Sequence, residues 1–518
     1  MAEVEAGALQ QSLLGSKSLC RERNAFAILC ALSASVAAIM FGFSLGFSSP
    51  ALPAMEGDVF RDVVCGDDDV ASVSSNLGSL WSAIINVGAM LGAAVSGNLL
   101  ERLGRKGTIL TVAAPAFGLG WAGTAVALGP ATLLATRLLC GFAVGISSVV
   151  VPVYIAETAP TSLRGALGAC NQLSVSLGIF AVYLVGLLLP HADRMYDCGA
   201  SNRAMTAHGW RVLAWIGAAS AGALFAVALF LPETPAWLYR HGKIEQAQKT
   251  LLRLRGGDDD RCNAELAELD PLNVRDAEMP AVPADVAKPL RFTDLLLMLL
   301  PKCCCPPGTK IDESVQLPLR ITLAIMFFQQ FSGINAVIFF SGDILGSSGF
   351  ENRDLGGVII MAIQVVFTGV SCLAVDRLGR RTLLVGSLAG MAVSAAFMAA
   401  FFFLGSKCPP IVALVALVGY IISFSMGLGP IPWLLMAELL PSKARGLASA
   451  LATLANWSFS FIITESFATL QNALTPAGTF AAFTGVCAAG AVYVYTSVPE
   501  TKGVSLEDIE RLFASRSS

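Results

Sequence analysis

Gly97-Asn98-Leu99-Leu100-Glu101-Arg102-Leu103-Gly104-Arg105-Lys106 returns later in the chain as Asp376-Arg377-Leu378-Gly379-Arg380-Arg381. Two further patterns return with it. Pro152-x-x-x-x-Glu157-x-x-Pro160-x-x-x-Arg164-Gly165 is echoed by Pro432-x-x-x-x-x-Glu438-x-x-Pro441-x-x-x-Arg445-Gly446, and Pro232-Glu233-Thr234 by Pro499-Glu500-Thr501. Asp376 follows Glu101 by 275 residues, Glu438 follows Glu157 by 281, and Glu500 follows Glu233 by 267. A near-constant spacing over three different motifs marks an internal duplication.

The sequence between the motifs says what was duplicated. A bilayer core takes about 20 mostly apolar residues per helix. Twelve such blocks lie near 25–48, 76–98, 108–128, 131–154, 165–189, 210–231, 318–344, 355–375, 382–404, 411–436, 446–467 and 475–497. Backbone facing lipid must satisfy its own polar groups, so the blocks are expected to be helices. The 49 glycines suit close packing of such helices. The fold class expected is an all-α membrane protein with twelve transmembrane helices in two six-helix halves.

Composition agrees. Of 518 residues, 55% are hydrophobic and 14% charged, against roughly 25% charged in ordinary soluble proteins. Mean hydropathy is +0.68. So few charges cannot cover a water-soluble surface, and a net charge of −3 offers no basic patch to nucleic acid.

The longest polar interval, 232–316, carries 11 Lys/Arg and 14 Asp/Glu. Within it, 240–256 reads as a short amphipathic helix. The organisation expected is a tail (1–24), a six-helix bundle (25–231), a linker with short helices (232–316), a second bundle (317–498) and a second tail (499–518). Lys17, Arg21, Arg23, Arg102, Arg105, Lys106, Arg164, Arg377, Arg380, Arg381, Lys443, Arg445 and Lys502 fall on one side with the linker. The positive-inside rule makes that side cytoplasmic, with both termini on it.

The repeated motifs set carboxylates beside arginines at cytoplasmic helix ends: Glu101, Arg105, Glu157, Arg164 and Glu233 in one half, Asp376, Arg380, Glu438 and Arg445 in the other. These charges are expected to latch one half to the other in one state and release in the next. They also anchor topology. Inside the apolar blocks lie uncharged amides: Gln172, Gln329, Gln330, Asn335, Gln364 and Asn456. An amide donates and accepts at once, so one side chain can engage two neighbouring hydroxyls. It costs far less than a charge to hold in the membrane. Such amides also serve as glue between helices. Asn335 lies about one and a half turns past the Gln pair, so a break near Gly333 is needed to bring them together. Gly427, Gly429, Pro430 and Pro432 crowd the tenth block and predict a bent, movable helix, with Trp433 beside the bend.

At these residues the chain resembles a sugar porter of the major facilitator superfamily, in the facilitated glucose transporter branch. The resemblance rests on Gly97–Lys106, Pro152-Val153-Tyr154-Ile155-Ala156-Glu157 and Pro232-Glu233-Thr234-Pro235. In the second half it rests on Gln329-Gln330-Phe331-Ser332-Gly333-Ile334-Asn335, Gly429-Pro430-Ile431-Pro432-Trp433, Asn456-Trp457 and Pro499-Glu500-Thr501-Lys502-Gly503. Phe41–Pro50 and Leu13-Leu14-Gly15 look most like the intracellular, class III members. The resemblance implies a major facilitator fold, a monosaccharide substrate such as glucose or another hexose, and alternating access between the halves. It implies sugar contact at Gln172, Gln329, Gln330, Asn335, Trp433 and Asn456, and a pocket wall at Gln364, Phe424 and Trp457. The sequence departs from the pattern at Ala236, where an Arg is usual, and at Phe339-Phe340, Met326-Phe327-Phe328 and Ser425.

Ser44 stands where resembling proton–hexose symporters carry Asp. No Asp or Glu lies deep in a block: Glu157 and Glu438 lie near inner ends, Asp343 and Glu465 near outer ones, and His191, His208 and His241 fall in loops. The expectation is therefore a uniporter, with a proton-coupled sugar or polyol symporter or a non-transporting sensor as alternatives. No cofactor, metal or catalytic group is expected. The 13 cysteines include no Cys-x-x-Cys. Cys65, Cys198 and Cys408 fall on outer loops, where a disulfide is open, and Cys303-Cys304-Cys305 offers a palmitoylation site. Plasma-membrane residence is the leading expectation, with an internal membrane left open and the oligomeric state unassigned.

Overall fold

A computed structural model of the chain describes residues 24–56, 70–160, 163–189, 191–195, 201–205, 207–269, 313–339, 344, 353–441, 445–504, 508–509 and 512–513. The cysteines at 65, 198 and 303–305 and the dileucine at 13–14 lie outside them.

The first half runs α1 (Ala25–Gly46), α2 (Ser48–Glu56), α3 (Val70–Thr108), a π-helical turn (Ile109–Ala113), α4 (Ala114–Ala125), α5 (Pro130–Thr158), α6 (Arg164–Leu188) and α7 (Ala207–Phe230). Short helices α8 (Pro235–Arg240), α9 (Ile244–Leu254) and α10 (Asp259–Leu269) follow. The second half runs α11 (Glu313–Phe331), α12 (Ile334–Phe339), α13 (Arg353–Leu378), α14 (Arg380–Leu404), α15 (Ile411–Met426), α16 (Ile431–Leu439) and α17 (Arg445–Ser497).

Among the described residues eleven helical stretches are long and apolar enough to cross a membrane. One of them, Leu77–Ala125, has 49 residues. At 1.5 Å per residue it would reach roughly 74 Å, more than twice a bilayer core. It is two spans folded back at Gly104, whose φ is 78°. The count is therefore twelve, as expected. Likewise α17 turns at Thr475, φ 62°, with Pro476 next to it.

Two breaks fall where the sequence predicts them, and two features depart from the expected pattern. The seventh and tenth blocks are each two helices, α11/α12 and α15/α16. Between α6 and α7, β1 (His191–Met195) pairs antiparallel with β2 (Ser201–Met205), where only a loop was expected. Among the described residues the linker holds three short helices, α8, α9 and α10, and His208, expected in a loop, sits in the first turn of α7.

Backbone contact packs the first half. A Cβ on Gly42 would stand 1.9 Å from the Val175 carbonyl, and one on Gly178 2.0 Å from that of Ile39. The same holds between α3 and α5: Gly88 meets the Leu138 carbonyl at 2.1 Å, and Gly141 meets that of Ile85 at 2.2 Å. Small residues let membrane helices approach this closely. Across the halves α3 lies against α17 and α6 against α13. There Ser460 Oγ donates to Asn86 Oδ1 at 2.8 Å, Ser176 and Thr368 hydroxyls meet at 3.3 Å, and Tyr183 Oη donates to the Ile338 carbonyl at 2.6 Å.

The linker helices are fastened to the first half. Ala247, Leu251 and Leu254 form the buried face of α9. Buried Arg255 donates to both Glu265 oxygens, at 2.7 and 2.8 Å, and to the Thr158 carbonyl at 2.9 Å. A cation on the last carbonyls of α5 complements the negative end of that helix.

Gly88→Val should therefore lower the melting temperature of the purified protein by an overpacking penalty of about 1–3 kcal/mol. Gly168→Val, at a glycine with nothing within 4 Å of its Cβ position, should not. Equal melting curves for the two variants would contradict the packing account.

Candidate functional site

The two broken helices make the site. Gly333, φ 92°, interrupts the seventh span, and a Cβ there would fall 2.4 Å from the Phe483 ring. The tenth span opens between Met426 and Ile431. Each break frees backbone polar groups inside the membrane, where an unmet group is costly. Tyr420 Oη donates to the Ser332 carbonyl at 2.7 Å, and Ser387 Oγ accepts from Leu428 N–H at 2.9 Å. Gln329 Nε2 donates to the Leu428 carbonyl at 2.8 Å and to that of Gly429 at 3.3 Å.

From Gln329 the amides link head to tail. Asn456 Nδ2 donates to Gln329 Oε1 at 2.8 Å, and Gln330 Nε2 to Asn456 Oδ1 at 3.1 Å. Asn335 Nδ2 donates to Gln330 Oε1 at 2.8 Å and to Ser460 Oγ at 2.6 Å. Ser460 passes the chain to Asn86 in the other half. All four amides are buried, from 1% to 7% exposed. Each net bond contributes about 0.5–1.5 kcal/mol, and together they fix which amide edges face inward.

These residues line a narrow cavity of about 70 Å³, tighter than the ~300–1,000 Å³ of open small-molecule sites. Every expected contact residue lies on it: Gln172 from α6, Gln329 and Gln330 from α11, Asn335 from α12, Trp433 from α16 and Asn456 from α17. The expected wall, Gln364, Phe424 and Trp457, lies on it too. Sequence reading missed Asn171 and Ser148, also on the lining. Asn171 adjoins Gln172 and carries the same signal; Ser148 had none. Phe41 and Trp457 face one another across the halves, ring centroids 5.6 Å apart. Gln364 Oε1 and Trp457 Nε1 are buried without a partner. The lining thus offers apolar rings, amide edges and two unmet polar atoms, the chemistry that suits a neutral polyhydroxylated molecule.

In this conformation the described charged motifs pair within their own halves. Ion pairs among the described residues join groups of one half: Arg105 to Glu157 at 2.6 Å, and Arg380 to Asp376 and to Glu438, each at 3.1 Å. Glu233 and Glu500 accept from backbone instead. Glu233 Oε1 takes the Arg105 N–H at 2.8 Å, and Glu500 Oε1 takes that of Arg380 at 2.9 Å. Both carboxylates cover a helix start just after a left-handed glycine, Gly104 or Gly379, where the positive helix end favours them. They meet backbone because the glycine leaves no Cβ in the way. Glu101 is exposed and its carbonyl accepts from Trp237 Nε1 at 2.9 Å. The side chains of Arg164 and Arg445 lie outside the described residues. The halves differ at their matched threonines: Thr501 Oγ1 donates to Glu438 Oε2 at 2.6 Å, while the corresponding atoms Thr234 Oγ1 and Glu157 Oε2 are both unpartnered.

Known proteins share this architecture. The family model "Sugar (and other) transporter" matches residues 30–300 and 303–513. The sugar transporter ERD6-like 6 of Arabidopsis thaliana is 35% identical over 516 residues, spanning 98% of this chain and 94% of that protein. The facilitated trehalose transporter Tret1 of Apis mellifera ligustica is 34% identical, spanning 95% and 89%. Among solved structures, the proton:xylose symporter XylE bound to 6-bromo-6-deoxy-D-glucose superposes with a TM-score of 0.76. It is 25% identical and covers 95% of this chain and 100% of that one.

Asn456→Leu should strand Gln329 Oε1 and the Gln330 amide. Two orphaned buried groups cost about 1–3 kcal/mol each, so the melting temperature should fall by several degrees. An unchanged melt would mean that the amide chain does not hold the broken helices.

Proposed function

The chain belongs to the sugar transporter family of the major facilitator superfamily, and from this premise we propose that it is a facilitative transporter, a uniporter, of a monosaccharide such as glucose or another hexose. The reading is carried by the amide-lined cavity between the halves. Gln172, Gln329, Gln330, Asn335, Trp433 and Asn456 contact the sugar, with Gln364, Phe424 and Trp457 as wall. The bundles 25–231 and 317–498 rock about this site, joined by 232–316, while α12 and α16 move as gates. Cytoplasmic termini and plasma-membrane residence complete the reading.

Transport needs the amides to exchange partners. When sugar hydroxyls enter, each amide trades one neighbour for a hydroxyl at nearly equal energy. The repeated charge clusters at Arg105–Glu157 and Arg380–Glu438 tie helix ends together within each half, and their rearrangement biases the state occupied. Uniport is supported around Ser44. Buried Arg137 donates to the Ser44 carbonyl at 2.8 Å and to Ser48 Oγ, and lies 4.6 Å from the Trp81 ring. No carboxylate among the described residues pairs with it, so the titratable group that proton coupling needs is missing there.

A second reading, proton-coupled transport, is favoured by Glu465 in α17, whose Oε2 is buried and unpartnered. The likeness to a proton:xylose symporter points the same way.

In proteoliposomes, labelled glucose should equilibrate with or without an imposed pH gradient. Accumulation above equilibrium that is lost in Glu465→Gln would establish the second reading instead. Fructose, galactose, myo-inositol and trehalose as competitors rank the substrates, and trehalose winning would displace the hexose assignment. Gln330→Ala should cut uptake by roughly tenfold or more while leaving the protein folded, as expected when hydrogen bonds to a substrate hydroxyl are lost; full activity would remove Gln330 from the site.

A further inference from the structure

A second cavity, of about 370 Å³, opens where the end of α7 meets the start of the Gly104 turn and the linker helix α9. Its lining divides by chemistry. Phe230, Leu231 and Leu238 form the apolar part, and Lys106, Lys249 and Arg253 bring three cations. One carboxylate is present, that of Glu233, and it is already engaged. Its oxygens take the N–H groups of Arg105, Lys106, Gly107 and Thr234.

The cations are differently placed. Lys106 Nζ donates to the Leu229 carbonyl at 2.8 Å, a neutral acceptor. The Arg253 guanidinium lies 4.6 Å from the Phe26 ring. Lys249 is exposed. None of the three pairs with a carboxylate among the described residues. Three positive charges converging on one concavity repel one another, and a single anion with several acceptor oxygens relieves that repulsion.

The surroundings narrow the anion. Phe230 is 87% exposed and Leu229 50% exposed, at the end of a membrane-spanning helix. A group seated here has apolar surface on one side and basic side chains on the other. Lys and Arg near a membrane surface attract anionic headgroups at this level.

We propose that this cavity binds a phosphoryl group, supplied by the headgroup of an anionic phospholipid whose acyl chains lie along Leu229 and Phe230. Occupancy ties α9 to the first half through Lys106 and Arg253. It therefore stabilises the bundle against which the second half moves.

The test uses the purified full-length protein in detergent, melted against increasing dioctanoyl phosphatidic acid, dioctanoyl phosphatidylcholine or inorganic phosphate. Phosphatidic acid should raise the melting temperature. Lys249→Gln and Arg253→Gln should each shift the midpoint of that effect by about fivefold, the double variant more, and Arg253→Lys little. Lys407→Gln, an exposed cation elsewhere, should behave as the parent. Inorganic phosphate reproducing the effect with the same variant dependence would keep the phosphoryl site and name a soluble source. The proposal is overturned if neither anion shifts the melt, if phosphatidylcholine shifts it equally, or if the double variant titrates like the parent. Because the readout is melting and not uptake, it is independent of the transport assignment.

Discussion

Inside a bilayer every backbone polar group needs a partner within the protein, and this requirement organises the molecule. Ten of its spans satisfy it by staying helical. The seventh and tenth do not, and the groups they release are met by Tyr420, Ser387 and Gln329. The last of these opens the amide chain that runs through Asn456, Gln330, Asn335 and Ser460 to Asn86. The same side chains that repair the broken helices thus furnish the polar lining of the cavity. An uncharged network can lose one bond and gain another at little cost, and a transport site has to do this at each turnover.

The two halves are alike in motif and unlike in mechanics. In both, a carboxylate covers the helix start after a left-handed glycine, and an arginine from the same loop reaches a glutamate on the fourth or tenth span. The first half is further locked by glycine faces that bring α1 to α6 and α3 to α5 into backbone contact. The second half carries both helix breaks. One bundle is packed backbone to backbone and the other carries two helix breaks, an arrangement that suits the alternating access proposed above.

The charge clusters illustrate how a motif can be located without its geometry being known. Spacing placed Glu233 and Glu500 near arginines, and an arginine is the natural partner for a carboxylate. Residue spacing does not reveal that a glycine beside each arginine leaves room for the carboxylate to reach backbone N–H groups first. That choice follows from the positive φ of Gly104 and Gly379, a property of the folded turn.

Sequence alone determined the twelve apolar blocks, the duplication and the amides, because hydropathy and motif spacing are local properties that lipid constrains strongly. Even the break at Gly333 and the bend among Gly427, Gly429, Pro430 and Pro432 were legible, since these residues weaken a helix wherever they stand. Tertiary structure decided what the blocks do to one another: which carboxylate meets which arginine, that the amides join head to tail, and that Asn171 and Ser148 share their cavity. It also decided that Lys106, Lys249 and Arg253 converge across 147 residues of chain. Such pairings depend on helix rotation and approach, set by side chains from several distant segments at once, and no single stretch of sequence encodes them.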